Sequence, residues 1–269
     1  MKTLTISKLC SLNRFKESRY LVRMFALGYI LLASGCASLD TSQSAANPVA
    51  LKNTEITDPW EYWNRGVYGF NERIDQYVLK PAAKSYQLLV PLRLRASINN
   101  FFSNLTQPTT IINDLLQGQL EQSLQDTARF VFNSTFGVLG LFDFASYLEL
   151  PKHREDFGQT LAVWNVPPGP YVVLPLLGPS SLRDAFGLAP EYSYTDAVPY
   201  LFDHSSYWAA TMVNIVDNRS NKLGLEKVLS LQLDPYSFTK ESYTQSRLNV
   251  IFNGSPPLPD DLLDEEPTN

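Results

Sequence analysis

The stretch DPWEYWNRGVYGFNERIDQYV, residues 58–78, decides how the chain is read. Asp58 can cap a helix, Pro59 suits a first turn, and Glu61 lies near the positive end of the dipole, so a helix is predicted to start here. Trp60, Trp63, Val67, Phe70, Ile74 and Val78 recur at spacings of three and four and share one face. Asn64, Arg65, Asn71, Glu72, Arg73 and Asp75 occupy the remainder. Gly66 and Gly69 each cost a helix interior about 1 kcal/mol relative to Ala, so close packing or a hinge at Gly66, Gly69 and Phe70 is expected.

Downstream the same period continues. Lys80-Pro81 is expected to end or kink the first helix, and Pro81 to open a second carrying Ala82, Tyr86 and Leu89. Ile98, Phe101, Phe102 and Leu105 predict a third helix, and Thr106-Gln107-Pro108 a cap before a fourth, stopped by Gly118. Leu120, Leu124, Ala128 and Val131 mark the next, followed by the apolar run from Phe136 to Leu150, too short to cross a bilayer. Between His153 and Gly178 the Gly and Pro residues are expected to break any helix, leaving an irregular loop or hairpin with a short strand at Tyr171 to Leu174. Ser181 with Asp184 fits a capping box for a helix ending near Gly187. Trp208, Met212, Ile215 and Arg219 mark a longer helix, and Asp234-Pro235 opens a last one through Val250. No fixed-period repeat is found. The reading is all-α: one domain of amphipathic helices over residues 57–252, with an acidic, disordered tail over 253–269.

Upstream, residues 1–35 read as an export signal. A basic segment to Arg23 precedes an apolar run from Phe25 to Ala33 and the small residues Ser34-Gly35 before Cys36. Leu32 to Cys36 resembles the bacterial lipobox, which implies a diacylglyceryl group and an N-acyl chain on Cys36. Two or more chains hold a protein stably on a membrane, whereas one does not. Ala37 after the Cys resembles the outer-membrane sorting class, and residues 36–56 read as a flexible tether.

Composition removes several function classes. Past the leader, 16 basic residues face 26 acidic ones, a balance that argues against nucleic acid and against adhesion to anionic lipid by charge. Four Trp, fourteen Tyr and fifteen Phe suit surfaces apolar at one end and wet at the other. With Cys10 and Cys36 the only thiols, and His153 and His204 the only imidazoles, no metal site and no cofactor is expected. The two histidines read as surface or capping residues. No G-x-S-x-G elbow, phosphate loop or H-E-x-x-H pair occurs, so no catalytic residue is assigned.

Trp63-Asn64-Arg65, Tyr68-Gly69-Phe70-Asn71, Asn104 to Pro108, Leu116-Gln117-Gly118, Arg129-Phe130 with Asn133-Ser134-Thr135, Gly140 to Asp143, Phe157 to Leu161, and Gly169-Pro170-Tyr171 through Leu174 to Ser180 and on to Arg183-Asp184 resemble the MlaA (VacJ) lipoproteins. The resemblance runs from Asp58 to Gly187 and is only general after Asp196. It implies a ring-like helical body in the inner leaflet of the outer membrane, with an amphipathic channel. It also implies a trimeric porin as partner and retrograde transfer of misplaced phospholipid to a soluble periplasmic carrier. In that setting Asn64, Arg65 and Asn71 are candidate head-group contacts. The segment from Phe157 and Gly158 through Gly169, Pro170 and Tyr171 to Gly178 is the candidate gate. An envelope scaffold and a phospholipase stay open as rivals.

Overall fold

A computed structural model describes residues 56–191 and 203–256. Cys36, the signal segment, the tether before Ile56 and the tail beyond 256 fall outside these residues. Helix α1 (Glu61–Ile74) passes through a π-helical turn at Asp75–Leu79 into α2 (Lys80–Leu89) without a break. The interruption expected at Lys80-Pro81 takes the form of this π turn, and Pro81 stands in the first turn of α2. The ring of Pro81 would crowd the carbonyl four residues earlier, and the wider π turn lies where that conflict would arise. Nor does Asp58 cap α1, whose N-cap position is Trp60 without a side-chain bond. Asp58 instead accepts hydrogen bonds from Asn64 Nδ2 (2.9 Å) and the Tyr236 hydroxyl.

A single long helix α3 (Leu92–Gln117) replaces the two expected around Pro108. The penalty of about 3 kcal/mol for Pro108 is overridden where the C-terminal part of α3 pairs with α4 (Leu120–Thr135), the most extensive contact between elements. Gly118, at φ 78°, turns the chain between them. A short α5 (Phe144–Tyr147) is capped by Asp143 and α6 (Phe157–Val163) by Asp156. The Phe157 segment is thus helical: its breakers Pro167 and Pro168 come only after α6 has closed.

Strands β1 (Tyr171–Leu174) and β2 (Gly178–Ser181) form an antiparallel hairpin with Tyr171 opposite Ser181. Ser181 caps α7 (Leu182–Pro190), accepting from the Asp184 N–H at 3.1 Å, and this helix runs past Gly187. Helix α8 (His204–Asn221) leads through a 3-10 turn at Leu223–Leu225 to α9 (Glu226–Ser230). The last helix, α10 (Pro235–Ile251), opens on the Asp234 cap. Among the described residues the fold is all-α but for this hairpin, and no helix is long and apolar enough to cross a membrane.

Burial runs opposite to that of a water-soluble helical protein. Among the described residues seven hydrophobic side chains are buried, against eighteen polar or charged ones. Trp63, Leu88, Leu124 and Phe136 each expose more than 60% of their surface. The apolar core proper is small: Tyr171, Val173 and Tyr236, flanked by Val67, Tyr68 and Tyr243. It sits where α1, the hairpin and α10 meet.

Two asparagines of α1, two helical turns apart, fix that meeting point. Asn64 Nδ2 donates to the Tyr171 carbonyl while its Oδ1 accepts from the Val173 N–H, both at 3.0 Å. Asn71 Nδ2 donates to the Leu174 carbonyl (2.9 Å) and its Oδ1 accepts from the Leu176 N–H (2.8 Å). Each amide replaces the strand neighbour that β1 lacks on this edge. By contrast a Cβ at Gly66 or Gly69 would meet open space, and α1 stays helical through both. Neither glycine is required by close packing. Asn64→Ala, which strands two buried backbone groups, is expected to cost about 3 kcal/mol. Gly66→Ala is expected to stabilise by up to about 1 kcal/mol; thermal melting of the detergent-held protein measures both.

Candidate functional site

The buried face of α3 carries Asn104, Gln107, Thr110, Asn113 and Asp114, and that of α4 carries Ser123, Asp126, Arg129 and Asn133. Both sets recur every three or four residues, so each forms one stripe, and the stripes lie on the buried sides of the paired helices. Leu105 is buried with them, whereas Leu115, Leu116, Leu120 and Leu124 are exposed.

Polar groups can be buried only if paired, and these form a nearly continuous network. Arg129 donates to the Leu150 carbonyl and, through Nη2, to both Asp143 oxygens at 2.9 and 3.1 Å. Asn133 bonds Asp143 and the Ala145 N–H. Gln107 donates to Asp126, which also holds His153 Nδ1 at 2.8 Å. His153 is therefore part of the interior network, a correction to its reading as a surface or capping residue. Gln122 joins Asp114 to Glu155, and Gln117 joins Glu155 to Thr160.

Charge inside this network is costly. Burial pushes the Asp114 carboxyl up to about 7 against a stabilising bond from Gln122, with Asp126 and Glu155 raising it further. Burial opposes ionisation of Asp143 too, but bonds from Ser146 and Asn133 and the Arg129 charge outweigh it and hold this carboxyl below its ordinary value. No group of three or more His, Cys, Asp or Glu among the described residues is placed to hold a metal.

A second polar region lies against the hairpin. A cavity of about 250 Å³ is lined by the apolar Leu174, Leu177 and Leu188 and by the charged Asp156, Asp184 and Arg247. Arg247 braces both carboxylates, at 3.0 Å to Asp156 and 2.9 Å to Asp184. The cavity is amphipathic, with leucines and charged side chains both in its lining.

The structure redistributes the residues singled out from sequence. Asn64 is fully buried and, like Asn71, committed to the hairpin backbone, so neither amide faces an open polar path as the head-group assignment requires. Arg65 is exposed, pairs with Glu61 and bidentately with Asp234, and lies 4.3 Å over the Tyr236 ring. Phe70 is exposed beside Gly69. Among the gate residues, Phe157 stacks edge-on against Trp164. A Cβ on Gly158 would come within 2.5 Å of Asp184 Oδ1, which reflects the close approach of α6 and α7. Gly169 (φ 67°) and Pro170 lead into β1, where Tyr171 is wholly buried, and Gly178 (φ 89°) opens β2. Of the loop and hairpin alternatives the hairpin is found, and opening it away from α1 must break the four bonds from Asn64 and Asn71. The side chain of His204 and residue Cys36 lie outside what is described.

Residues 56–249 match the family model described as MlaA lipoprotein. The chain belongs to the MlaA lipoprotein family. The Haemophilus influenzae protein called intermembrane phospholipid transport system lipoprotein MlaA is 31% identical over 251 residues, covering 89% of this chain and 96% of that one. Its Escherichia coli namesake is 34% identical over 233 residues, covering 85% and 87%. A solved chain described under "Structural basis for maintenance of bacterial outer membrane lipid asymmetry" aligns with a TM-score of 0.65 at 30% identity, covering 74% of this chain and all of that one. The MlaA match takes in α8 to α10, beyond the part where short motifs carry the resemblance.

Asp114 supplies a pH dependence with a definite sign. Its folded carboxyl holds the proton more tightly than the unfolded one, so its contribution is full below about pH 4 and lost as pH rises through 7. The melting temperature in detergent is expected to fall between pH 5 and 8, and to fall less in Asp114→Asn; equal slopes in both proteins would contradict this.

Proposed function

We propose that this chain is the outer-membrane lipoprotein of an intermembrane phospholipid transport system, anchored in the periplasmic leaflet through diacylglyceryl and N-acyl groups on Cys36. The observation that carries the reading is the inverted burial: most leucines and many aromatics are exposed, while asparagine, aspartate and arginine are buried. Exposed apolar surface on this scale marks a lipid or protein contact, and amphipathic helices can lie in a leaflet with their apolar side among the acyl chains.

Moving a phospholipid between leaflets requires taking its charged head past hydrocarbon, and the cost lies in desolvating that head. A ring-like body with polar groups within and apolar ones without gives the head hydrogen-bond partners while the tails stay in lipid. The protein then removes misplaced outer-leaflet phospholipid and hands it to a soluble periplasmic carrier, seated beside a trimeric porin. In this reading the lipid is moved without covalent change. The relatives named for intermembrane phospholipid transport support the same reading.

Cells lacking the protein are expected to accumulate phospholipid in the outer leaflet, and a complementing copy to remove it. A copy with Cys36→Ala, which cannot be acylated, is expected to fail. Mass spectrometry should recover the displaced lipid intact. Release of fatty acid would instead identify a phospholipase, and unchanged outer-leaflet lipid a scaffold.

A further inference from the structure

Asp114 Oδ2, Asn104 Oδ1 and Arg129 Nε are buried atoms between α3 and α4 without a hydrogen-bond partner, and the last two belong to residues that line one crevice. This narrow crevice is lined by Asn100, Ser103 and Asn104 of α3, Arg129 of α4, Asp143 and Lys152. Arg129 is 2% exposed and Asn104 4%, yet Arg129 Nε and Asn104 Oδ1 have no hydrogen-bond partner. Buried polar atoms left this way are costly, on the order of 1–3 kcal/mol each, and call for a partner from outside the chain. Lys152 forms no ion pair among the described residues. Partial desolvation and the nearby charges of Arg129 and Arg154 hold its ammonium below the ordinary lysine value, despite the attraction of Asp143.

We propose that this crevice binds a phosphate oxyanion, received from Arg129 Nε inside and Lys152 at the mouth. The inference rests on the lipid-transport reading and adds to it the atoms that grip the head group. Charge selects an anion: Arg129 and Lys152 face a single carboxylate, Asp143, whose two oxygens already accept from Arg129 Nη2. Hydrogen bonding selects the same partner, because the hydroxyl of Ser103 and the amide of Asn100 can both donate to it. Asn104 can present either side of its amide, since its present partner, Ser134 Oγ at 2.9 Å, can donate as well as accept.

Size limits how the ligand enters. The crevice interior holds about 10 Å³, room for one water-sized group. One phosphate oxygen fits against Arg129 Nε while the rest of the group stays at the mouth beside Lys152. The exposed Leu139, Leu141 and Phe142 follow α4 and precede Asp143, which leaves apolar surface close by for acyl chains. A lipid head and free phosphate share this oxyanion chemistry, and their contributions are separable by experiment.

The test uses mature acylated protein in detergent micelles, as wild type, Lys152→Glu, Lys152→Gln and the control Lys84→Glu, which reverses an exposed charge elsewhere. Arg129 is left intact because it ties Asp143 to Leu150. Native mass spectrometry measures retained phosphatidylglycerol and diacylglycerol, and phosphorus NMR measures binding of inorganic phosphate. Wild type and Lys84→Glu are expected to retain phosphatidylglycerol on the order of tenfold better than Lys152→Glu, with Lys152→Gln between them and diacylglycerol retention equal in all. Equal phosphatidylglycerol retention and equal phosphate binding in wild type and Lys152→Glu would overturn the proposal while leaving lipid transport standing. Phosphate binding that is lost in Lys152→Glu, in a protein that retains no phospholipid at all, would keep the oxyanion site and remove the transport reading. If phosphate binding is lost while phosphatidylglycerol retention is unchanged, the site serves free phosphate alone.

Discussion

Everything in this protein follows from one constraint: a buried polar group needs a partner and an exposed apolar one needs a solvent that tolerates it. Burying a leucine fully is worth about 1.5–3 kcal/mol in water, yet Leu88, Leu120 and Leu124 stay largely uncovered. The interior is instead held by directional bonds, with Arg129 on Asp143, Gln107 on Asp126 and Thr160 on Asn113 at 2.7 Å. Such a molecule makes energetic sense when hydrocarbon covers its outside.

Within that frame the amides of Asn64 and Asn71 do what a hydrophobic core does elsewhere. They lock β1 onto α1, and the locked strand presents Tyr171 and Val173 to Tyr236 of α10. Residues more than a hundred positions apart are joined by bonds that lose strength steeply with misalignment. The hairpin is consequently a fixed wall of the amphipathic cavity. Its other walls are organised by Arg247, whose two carboxylate partners come from α7 and from the cap of α6.

Much of the architecture was legible in the sequence, and the failures share a cause. The caps at Ser181 and Asp234, the stop at Gly118 and the strand at Tyr171 to Leu174 are local signals and are found where expected. The periods of α1, α3 and α4 were equally clear. Periodicity shows that a stripe exists and says nothing about what it faces, because leucines spaced three and four apart look the same against a core and against lipid. The opposite stripe, Asn104, Gln107, Asp114 and then Ser123, Asp126, Arg129, Asn133, held the distinguishing signal, since so many amides and charges on one face imply an interior of paired groups. Pro81 stands in the first turn of α2 as expected, whereas Pro108 misled because tertiary pairing overrides local preference. The roles of Asn64, Asn71 and His153 could not be read from spacing, as their partners lie far off in the chain or across helices.

The central claim is that the leucine side of the α3–α4 pair faces hydrocarbon. Spin labels placed singly at Leu116 and Leu124, with Glu241 of α10 for comparison, report their surroundings through collision with oxygen, which concentrates in lipid, and with a water-soluble nickel complex. In acylated protein reconstituted into bilayers, the labels at 116 and 124 should collide with oxygen and be shielded from nickel, while the label at 241 does the reverse. Ready access of nickel to both leucine positions, in protein shown to be membrane-bound, would contradict the account.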